Sequence, residues 1–85
     1  MYNVLIKRQA KKKLQSLPST IKIRVAEQIQ WLSHNPYDKR LDVKRLKGEV
    51  SFRLRVGEWR IVFARDDSIR LICIERIGAR GDIYK

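Results

Sequence analysis

Three arginines beside a predicted tight turn are the first residues whose types and spacing could do chemistry. Arg53 and Arg55 alternate along one predicted strand and Arg60 lies in the next, with Gly57 and Glu58 between them. A glycine at the first of two turn positions predicts a type II′ hairpin, because that position requires a positive φ. Counting outward from the turn places Arg55 opposite Arg60 and puts all three arginines on one face.

This arrangement favours a function beyond folding, because like charges directly opposite each other destabilise a sheet. Guanidinium groups hold phosphate through two parallel hydrogen bonds. We therefore expect the arginine face to bind an oligoanion. The alternative is a solvated hairpin face whose long side chains spread into water.

The C-terminal segment adds two candidates. Arg80 follows the glycine and alanine that end the last predicted strand, and Tyr84 comes four residues later. We expect Arg80 to cross the open end of the sheet toward the other arginines. Neighbouring positive charge favours the ionised form of a phenol, which would ease proton transfer by Tyr84, and its ring could also stack on an unpaired base. The alternative for Tyr84 is a packing residue that holds the tail.

The overall charge also indicates an anionic partner. The 85 residues include 20 Lys and Arg against 9 Asp and Glu, which leaves a net charge of +11. Nucleic acid is the expected partner, since neutralising phosphates releases condensed counterions and needs no sequence information. We expect no membrane association, because no long apolar run or signal-peptide pattern is present.

Cysteine and acidic residues argue against a metal or disulfide scaffold. Cys73 is the single cysteine and lies in an apolar run, so we expect a buried structural thiol and a cytoplasmic location. The acidic residues are too scattered to predict a magnesium site. His34, the single histidine, ends a predicted helix and is expected to interact with the helix dipole.

Hydrophobic periodicity predicts a single α+β domain over residues 1–85. A strand at 2–6 precedes a helix with an inner stripe at Ala10, Leu14 and Leu17, which Pro18 ends. Ser19 or Thr20 is expected to cap a second helix, whose inner stripe is Ile21, Val25, Ile29 and Leu32, and the Asn35-Pro36 pair is expected to stop it.

Alternating periodicity then predicts an antiparallel β-meander. The expected strands cover 43–46, 52–56, 59–65 and 69–77, with a turn at 47–49. The last strand is apolar at nearly every residue, so we expect it to be central and covered on both faces. The helix pair should cover one sheet face and leave the other open.

Three segments occur in an order that resembles the RelE/ParE superfamily of type II toxins. They are RLKG at 45–48, FRLRVGEWRIVF at 52–63 and IGARGDIY at 77–84. The spacing of the apolar residues in the first helix and the Asn35-Pro36 break are also similar to that family. The resemblance therefore spans nearly the whole chain.

The resemblance implies the toxin of a toxin–antitoxin system, of the RelE-like mRNA interferase branch. Such a toxin is a ribosome-dependent, metal-independent endoribonuclease that cleaves mRNA by attack of a ribose 2′-hydroxyl, needs no cofactor, and binds a cognate antitoxin. By position, the implied catalytic residues are Arg53, Arg55, Arg60, Arg80 and Tyr84. The residues expected to bind RNA beside them are Lys44, Arg45 and Lys47.

Two departures from the family pattern leave the proton-transfer residues open. The best-known ribonuclease members carry lysines where this chain has Arg53 and Arg55, and arginine does not release its proton in proteins. Ala79 also replaces a familiar histidine. Tyr84, Lys47, Lys44 or the ribosome are the candidates for the base. The alternative functions are a ParE-like DNA gyrase inhibitor and a non-catalytic nucleic-acid-binding module.

Overall fold

Five strands form one mixed sheet, and two helices connect its first strand to the rest. The computed structural model describes residues 1–46 and 50–79. The elements are β1 (Asn3–Ile6), α1 (Arg8–Ser16), α2 (Ser19–His34), β2 (Asp42–Arg45), β3 (Phe52–Val56), β4 (Trp59–Asp66) and β5 (Leu71–Ala79). The α+β class, the two consecutive helices and the meander of β2 to β5 are confirmed.

The first strand closes the sheet by parallel pairing. The strand order is β1-β5-β4-β3-β2, with β1 parallel to β5 and every other pair antiparallel. β1 and β2 are the two edge strands, so α1 and α2, which join them in the chain, carry it from one edge of the sheet to the other. Both helices pack against the same face of the sheet in one hydrophobic core.

The helices bury the apolar stripes that their spacing predicts. Ala10 and Leu17 are buried beside α1, and Val25, Ile29 and Leu32 are buried along α2. These side chains share one hydrophobic core with the apolar side chains of one sheet face, which include Leu54, Ile61, Phe63, Ile72 and Ile74. We call the opposite face of the sheet the open face.

The predicted side-chain cap of α2 is wrong, while its predicted end is confirmed. Pro18 is the N-cap, and no side chain makes a capping hydrogen bond there. The carbonyl of Pro18 accepts the first hydrogen bond of the helix, from the backbone N–H of Lys22 at 2.8 Å. Ser19 is therefore already inside the helix. The helix ends at His34, directly before Asn35.

Strand β5 differs from the prediction of a central strand covered on both faces. It lies between β1 and β4, and β4 is the middle strand. Ile72, Ile74 and Ile77 are buried against the helices, but Cys73 on the open face is only half-buried. The predicted burial of the Cys73 thiol is therefore also wrong. The apolar run misled because the helices cover only the face that holds Ile72 and Ile74, and because Ile69 is an exposed residue before the strand.

A bulge in β5 changes which side chains reach the open face. Val62 of β4 pairs with Arg76, whereas the next residue, Phe63, pairs with Ile74. Glu75 is thus the extra residue of a β-bulge, which reverses the alternation beyond it. As a result Ile77 faces the core and Arg76 faces away from it.

No helix in residues 1–46 and 50–79 is both long and apolar enough to cross a membrane.

Candidate nucleic-acid interface

The β3–β4 hairpin has the turn and the register that the sequence predicts. Arg55 pairs with Arg60, and Arg53 pairs with Val62. Gly57 has a φ of 60°, and Glu58 does not have a positive φ. A positive φ at the first turn position alone is the pattern of a type II′ turn. The turn therefore fixes the register that brings the three arginines to one face.

Two cross-strand rows of side chains form the open face near this hairpin. Cross-strand partners share a face, so the registers of β2 to β5 define each row. The first row is Lys44, Arg53, Val62 and Arg76. The second row is Asp42, Arg55, Arg60 and Gly78. Together they hold five cationic side chains and one carboxylate.

The first row covers an apolar residue with cationic side chains. Val62 is fully buried, yet it lies outside the core that the helices cover. Its neighbours in the row are Arg53 and Arg76, and long arginine side chains cover apolar surface with their methylene groups. The side chain of Arg53 is accordingly only 15% exposed, and its Nη2 lies 3.5 Å from Oδ1 of Asp42.

Arg60 is held inside the second row by the hairpin itself. The residue is only 5% exposed. Its Nη1 donates hydrogen bonds to the carbonyl oxygens of Gly57 at 3.0 Å and Trp59 at 3.1 Å. A buried cation that donates to backbone carbonyls has a structural role, so Arg60 stabilises the turn whatever else it binds.

Arg55 converges with Arg60 on the same oxygen. Its Nε donates to the carbonyl of Gly57 at 3.5 Å, although the residue as a whole is exposed. The two guanidiniums therefore lie side by side at the end of the sheet, one buried and fixed, the other facing water. An anion placed against this pair would meet both positive charges at once.

A depression lies at this end of the open face. Its volume is about 400 Å³, and it is lined by Arg55, Gly57, Glu58, Arg60 and Ala79. Gly78, which pairs with Arg60, contributes no side chain to the row. Ala79 is the last residue that the structure describes in this part of the chain.

The remaining predicted residues divide into three groups. Lys44 is exposed on the open face, opposite Arg53. Arg45 pairs with Phe52, which packs against the core, so Arg45 belongs to the other face of the sheet. Lys47, Arg80 and Tyr84 lie outside the described residues.

Sequence reasoning missed three cationic side chains near this surface. Arg76 reaches the open face only because of the bulge at Glu75, and two consecutive polar residues between buried isoleucines were the available signal. Lys13 of α1 lies 5.8 Å from the ring centre of Trp59. The guanidinium of Arg24 in α2 lies within 4 Å of the position that a Cβ atom of Gly57 in the turn would occupy. No sequence signal links a helix residue to that turn.

Shifted pKa values occur at the opposite end of β4. Hydrogen bonds from the hydroxyls of Tyr37 at 2.7 Å and Tyr2 at 2.8 Å lower the pKa of Asp67, helped by the charge of Arg65. The same bonds raise the pKa of both tyrosines. Arg65 also packs 4.5 Å from the rings of Tyr37 and Phe52. This cluster ties the N-terminal segment to the β4–β5 turn, so we assign it a structural role.

Metal-ligating side chains do not gather at the hairpin. Among residues 1–46 and 50–79, no group of three or more His, Cys, Asp or Glu side chains could hold a metal ion. The charged groups that the two rows bring together near the hairpin are therefore four guanidiniums, the ammonium of Lys44 and the carboxylate of Asp42.

Comparison with known proteins identifies the family. The sequence model of the family described as the ParE toxin of the type II toxin–antitoxin system parDE matches residues 4–84. The chain belongs to the RelE/ParE superfamily of toxins. RelE1 of Methanocaldococcus jannaschii, another toxin of this superfamily, is 35% identical over 99% of this chain and 96% of its own length.

Solved structures of RelE/ParE superfamily members share the fold. A chain in the archaeal RelE–RelB complex from Pyrococcus horikoshii OT3 is 30% identical with a TM-score of 0.82, covering 95% of this chain and 97% of that one. A chain in the RelB–RelE antitoxin–toxin complex from Methanococcus jannaschii is 27% identical with a TM-score of 0.77, covering 94% of each. The superfamily resemblance inferred from the three sequence segments is confirmed.

Proposed function

We propose that this toxin is a ribosome-dependent mRNA endonuclease whose open face binds the message. The observation that carries the proposal is the convergence of Arg55 and Arg60 on the carbonyl of Gly57, at the edge of the depression on that face. The pair offers one fixed and one exposed positive charge where a phosphodiester can approach from solvent. The named relatives support the RelE side of the superfamily.

The proposed reaction is an internal transesterification. The 2′-oxygen of a ribose forms a bond to the adjacent phosphorus, and the bond from phosphorus to the 5′-oxygen of the next nucleotide breaks. The 2′-hydroxyl gives its proton to a base, and the leaving 5′-oxygen takes up a proton. The products are a 2′,3′-cyclic phosphate and a free 5′-hydroxyl.

Arg55 and Arg60 contribute electrostatically. Negative charge accumulates on the phosphoryl oxygens as the 2′-oxygen attacks, and donors fixed in advance stabilise that charge without reorganising. Arg60 is already fixed by its bonds to the hairpin, and Arg55 completes the pair from the exposed side. Arg53 and Arg80 are proposed to bind the flanking backbone.

Proton transfer has the same three candidate side chains as in the sequence, of which the structure describes Lys44. Lys44 is exposed on the open face, in the same row as Arg53, and a lysine ammonium changes its protonation state far more readily than a guanidinium. Lys47 and Tyr84 stay as candidates from the sequence. We expect the ribosome to supply part of the positioning, because two rows of side chains on an open surface do not enclose a substrate.

The proposed partners are translating ribosomes, mRNA and a cognate antitoxin. The two archaeal relatives were crystallised as complexes of RelE with RelB. A net charge of +11 suits a partner with an acidic segment. Because ribosomes and mRNA occupy the cytoplasm, we propose that the toxin acts there. We also propose that the reaction needs neither metal nor cofactor.

Primer extension on cellular mRNA tests this function. The toxin is induced without an antitoxin, and the 5′ ends of a translated message are compared with those of the same message lacking its start codon. We expect new ends in the translated message alone. Equal cutting of both messages would refute ribosome dependence, and intact messages in growth-arrested cells would refute the nuclease.

A gyrase inhibitor is the second candidate, because the matching family model is that of ParE toxins. It predicts accumulation of covalent gyrase–DNA adducts after induction. The same induced cells can be assayed for these adducts by trapping protein-bound DNA. Adducts together with intact mRNA would favour this second function over the nuclease.

A further inference from the structure

We propose that Arg24 of α2 is a further RNA-binding residue, which extends the arginine pair around the β3–β4 turn to the helix side of the molecule. The ligand is the phosphodiester backbone of single-stranded RNA. This inference rests on the proposed RNA-binding function of the open face and names a second part of the same site.

The guanidinium of Arg24 lies close to Gly57. A Cβ atom added to Gly57 would lie 3.8 Å from Nη1 and 3.9 Å from Nη2 of Arg24. The two terminal nitrogens are thus almost equally close, so the end of the guanidinium faces the glycine. Gly57 carries no side chain that could separate Arg24 from the turn.

Three guanidiniums therefore gather at one glycine. Arg55 and Arg60 donate to the carbonyl oxygen of Gly57, and both terminal nitrogens of Arg24 lie within 4 Å of the position that a Cβ atom of Gly57 would occupy. Within residues 1–46 and 50–79, no carboxylate forms an ion pair with any of these three groups. Mutual repulsion of three such charges is relieved by an anion that bridges them.

The positive charge continues beyond Arg24 on the helix side. Lys13 lies over the ring of Trp59, which is the first residue of β4 after the turn. α1 contains Arg8, Lys11, Lys12 and Lys13 and has no acidic residue in its first turn. A single strand that leaves the depression and bends over the turn would thus stay in contact with cationic side chains.

RNA fits this surface better than an acidic peptide. A peptide partner gains most of its affinity from apolar anchors. Several exposed apolar side chains, Val4, Leu5 and Ile69, belong to β1 and the β4–β5 turn, away from Gly57. Ile23 is the exposed apolar neighbour of Arg24. Three arginines beside a single exposed apolar neighbour are more typical of phosphate-backbone contacts than of a peptide groove with several anchors.

The test measures RNA binding directly by fluorescence anisotropy. The probes are a labelled uridine oligonucleotide of about twelve nucleotides, which is long enough to pass around the turn, and one of about three nucleotides, which is not. The proteins are wild type, Arg24→Ala, Arg24→Lys and Arg70→Asn. Arg24 is exposed on a helix, where alanine is tolerated, so Arg24→Ala should fold normally.

Arg70→Asn is the matched control. It also removes one guanidinium, but at the β4–β5 turn, which is at the other end of β4 from Gly57. Arg70 has a φ of 51°, a conformation that asparagine tolerates better than most residues. Both variants therefore have the same net charge, and a difference between them reflects position alone.

We expect Arg24→Ala to weaken binding of the longer probe roughly fivefold and to lower the slope of log affinity against log salt by about 0.7 relative to the control. Binding of the shorter probe should stay within about twofold of wild type, and Arg24→Lys should recover most of the loss. Equal effects of Arg24→Ala and Arg70→Asn on the longer probe would overturn the proposal. So would a loss of affinity for polyglutamate with unchanged affinity for RNA, which would indicate a peptide site.

These outcomes are separable from failure of the proposed function. If wild type binds neither RNA probe, the RNA-binding function of the open face fails and Arg24 fails with it. If wild type binds both probes and Arg24→Ala binds both equally well, the open face keeps its function and only the extension around the turn is refuted.

Discussion

Replacing Arg60 by alanine should destabilise the protein, and the structure gives the size of the effect. Nη1 of Arg60 is shared between two backbone carbonyls at 3.0 and 3.1 Å, in a residue that is 5% exposed. Loss of a charge-assisted hydrogen bond of this kind costs about 2 kcal/mol. Relief of the repulsion with Arg55 across the hairpin returns roughly 0.5 kcal/mol. The net loss is about 1.5 kcal/mol, or roughly 6–12 °C in Tm for a domain of this size.

Urea unfolding followed by tryptophan fluorescence measures this loss, and Trp59 reports on the same hairpin. Arg55→Ala is the comparison, because Arg55 is exposed and makes only one long hydrogen bond of 3.5 Å to the turn. Its free energy of unfolding should change by no more than about 0.5 kcal/mol. If Arg60→Ala is as stable as Arg55→Ala, the structural role assigned to the buried guanidinium is wrong.

The other predictions concern the turn, the tyrosine cluster and the base. Gly57→Ala should lower the free energy of unfolding, measured in urea, by about 1–2 kcal/mol, because alanine is strained at a φ of 60°. An unchanged urea midpoint would rule out the type II′ turn. Tyr37→Phe removes a hydrogen bond that lowers the pKa of Asp67. The contribution of the Asp67 carboxylate to stability is present above pH 3.8, the pKa of a free carboxyl, and is lost as the pH falls through the lower pKa of the folded protein. That pKa should rise in a carboxyl NMR titration and acid unfolding should begin at higher pH; an unmoved titration would contradict the bond. Lys44→Arg keeps the charge but replaces the ammonium by a guanidinium that does not release its proton in proteins, so cleavage on ribosomes should slow roughly a hundredfold if Lys44 is the base, and an unchanged rate would exclude it.

Turn chemistry explains why the register of the arginines could be predicted. A two-residue hairpin fixes the pairing of everything that follows it outward, so recognising Gly57 as the first turn residue was enough to place Arg55 opposite Arg60. The helix stripes were predictable for a similar reason, since Val25, Ile29 and Leu32 repeat at the helical period.

The bulge in β5 shows where the same reasoning stops. Strict alternation from Ile72 and Ile74 would send residue 76 to the core, but the extra residue Glu75 sends Arg76 to the open face. Glu75 accepts a hydrogen bond from Ser51 at 2.8 Å and lies 3.4 Å from Nζ of Lys7. These partners are distant in the chain, so local pattern could not reveal what stabilises the bulge.

The burial of two of the three arginines was the second feature that could not be predicted from the sequence. All three were expected to share one exposed face, but Arg60 is enclosed by the hairpin, while Arg53 covers Val62. A guanidinium can satisfy backbone carbonyls and cover apolar surface at once, so its residue type alone does not indicate exposure. Arg55 is consequently the arginine of the three whose removal tests function without disturbing the fold.

The rate at which the Arg55→Ala variant cleaves mRNA on ribosomes, compared with wild type, tests the proposed activity most directly. Purified ribosomes stalled on a defined message are incubated with wild type, Arg55→Ala or Arg70→Asn, and the ends of the fragments are analysed. We predict that wild type and Arg70→Asn cut the message and leave 2′,3′-cyclic phosphates, while Arg55→Ala cuts roughly a hundredfold more slowly with unchanged stability. Cleavage by Arg55→Ala at the wild-type rate would contradict the assignment of the open face as the site of RNA cleavage.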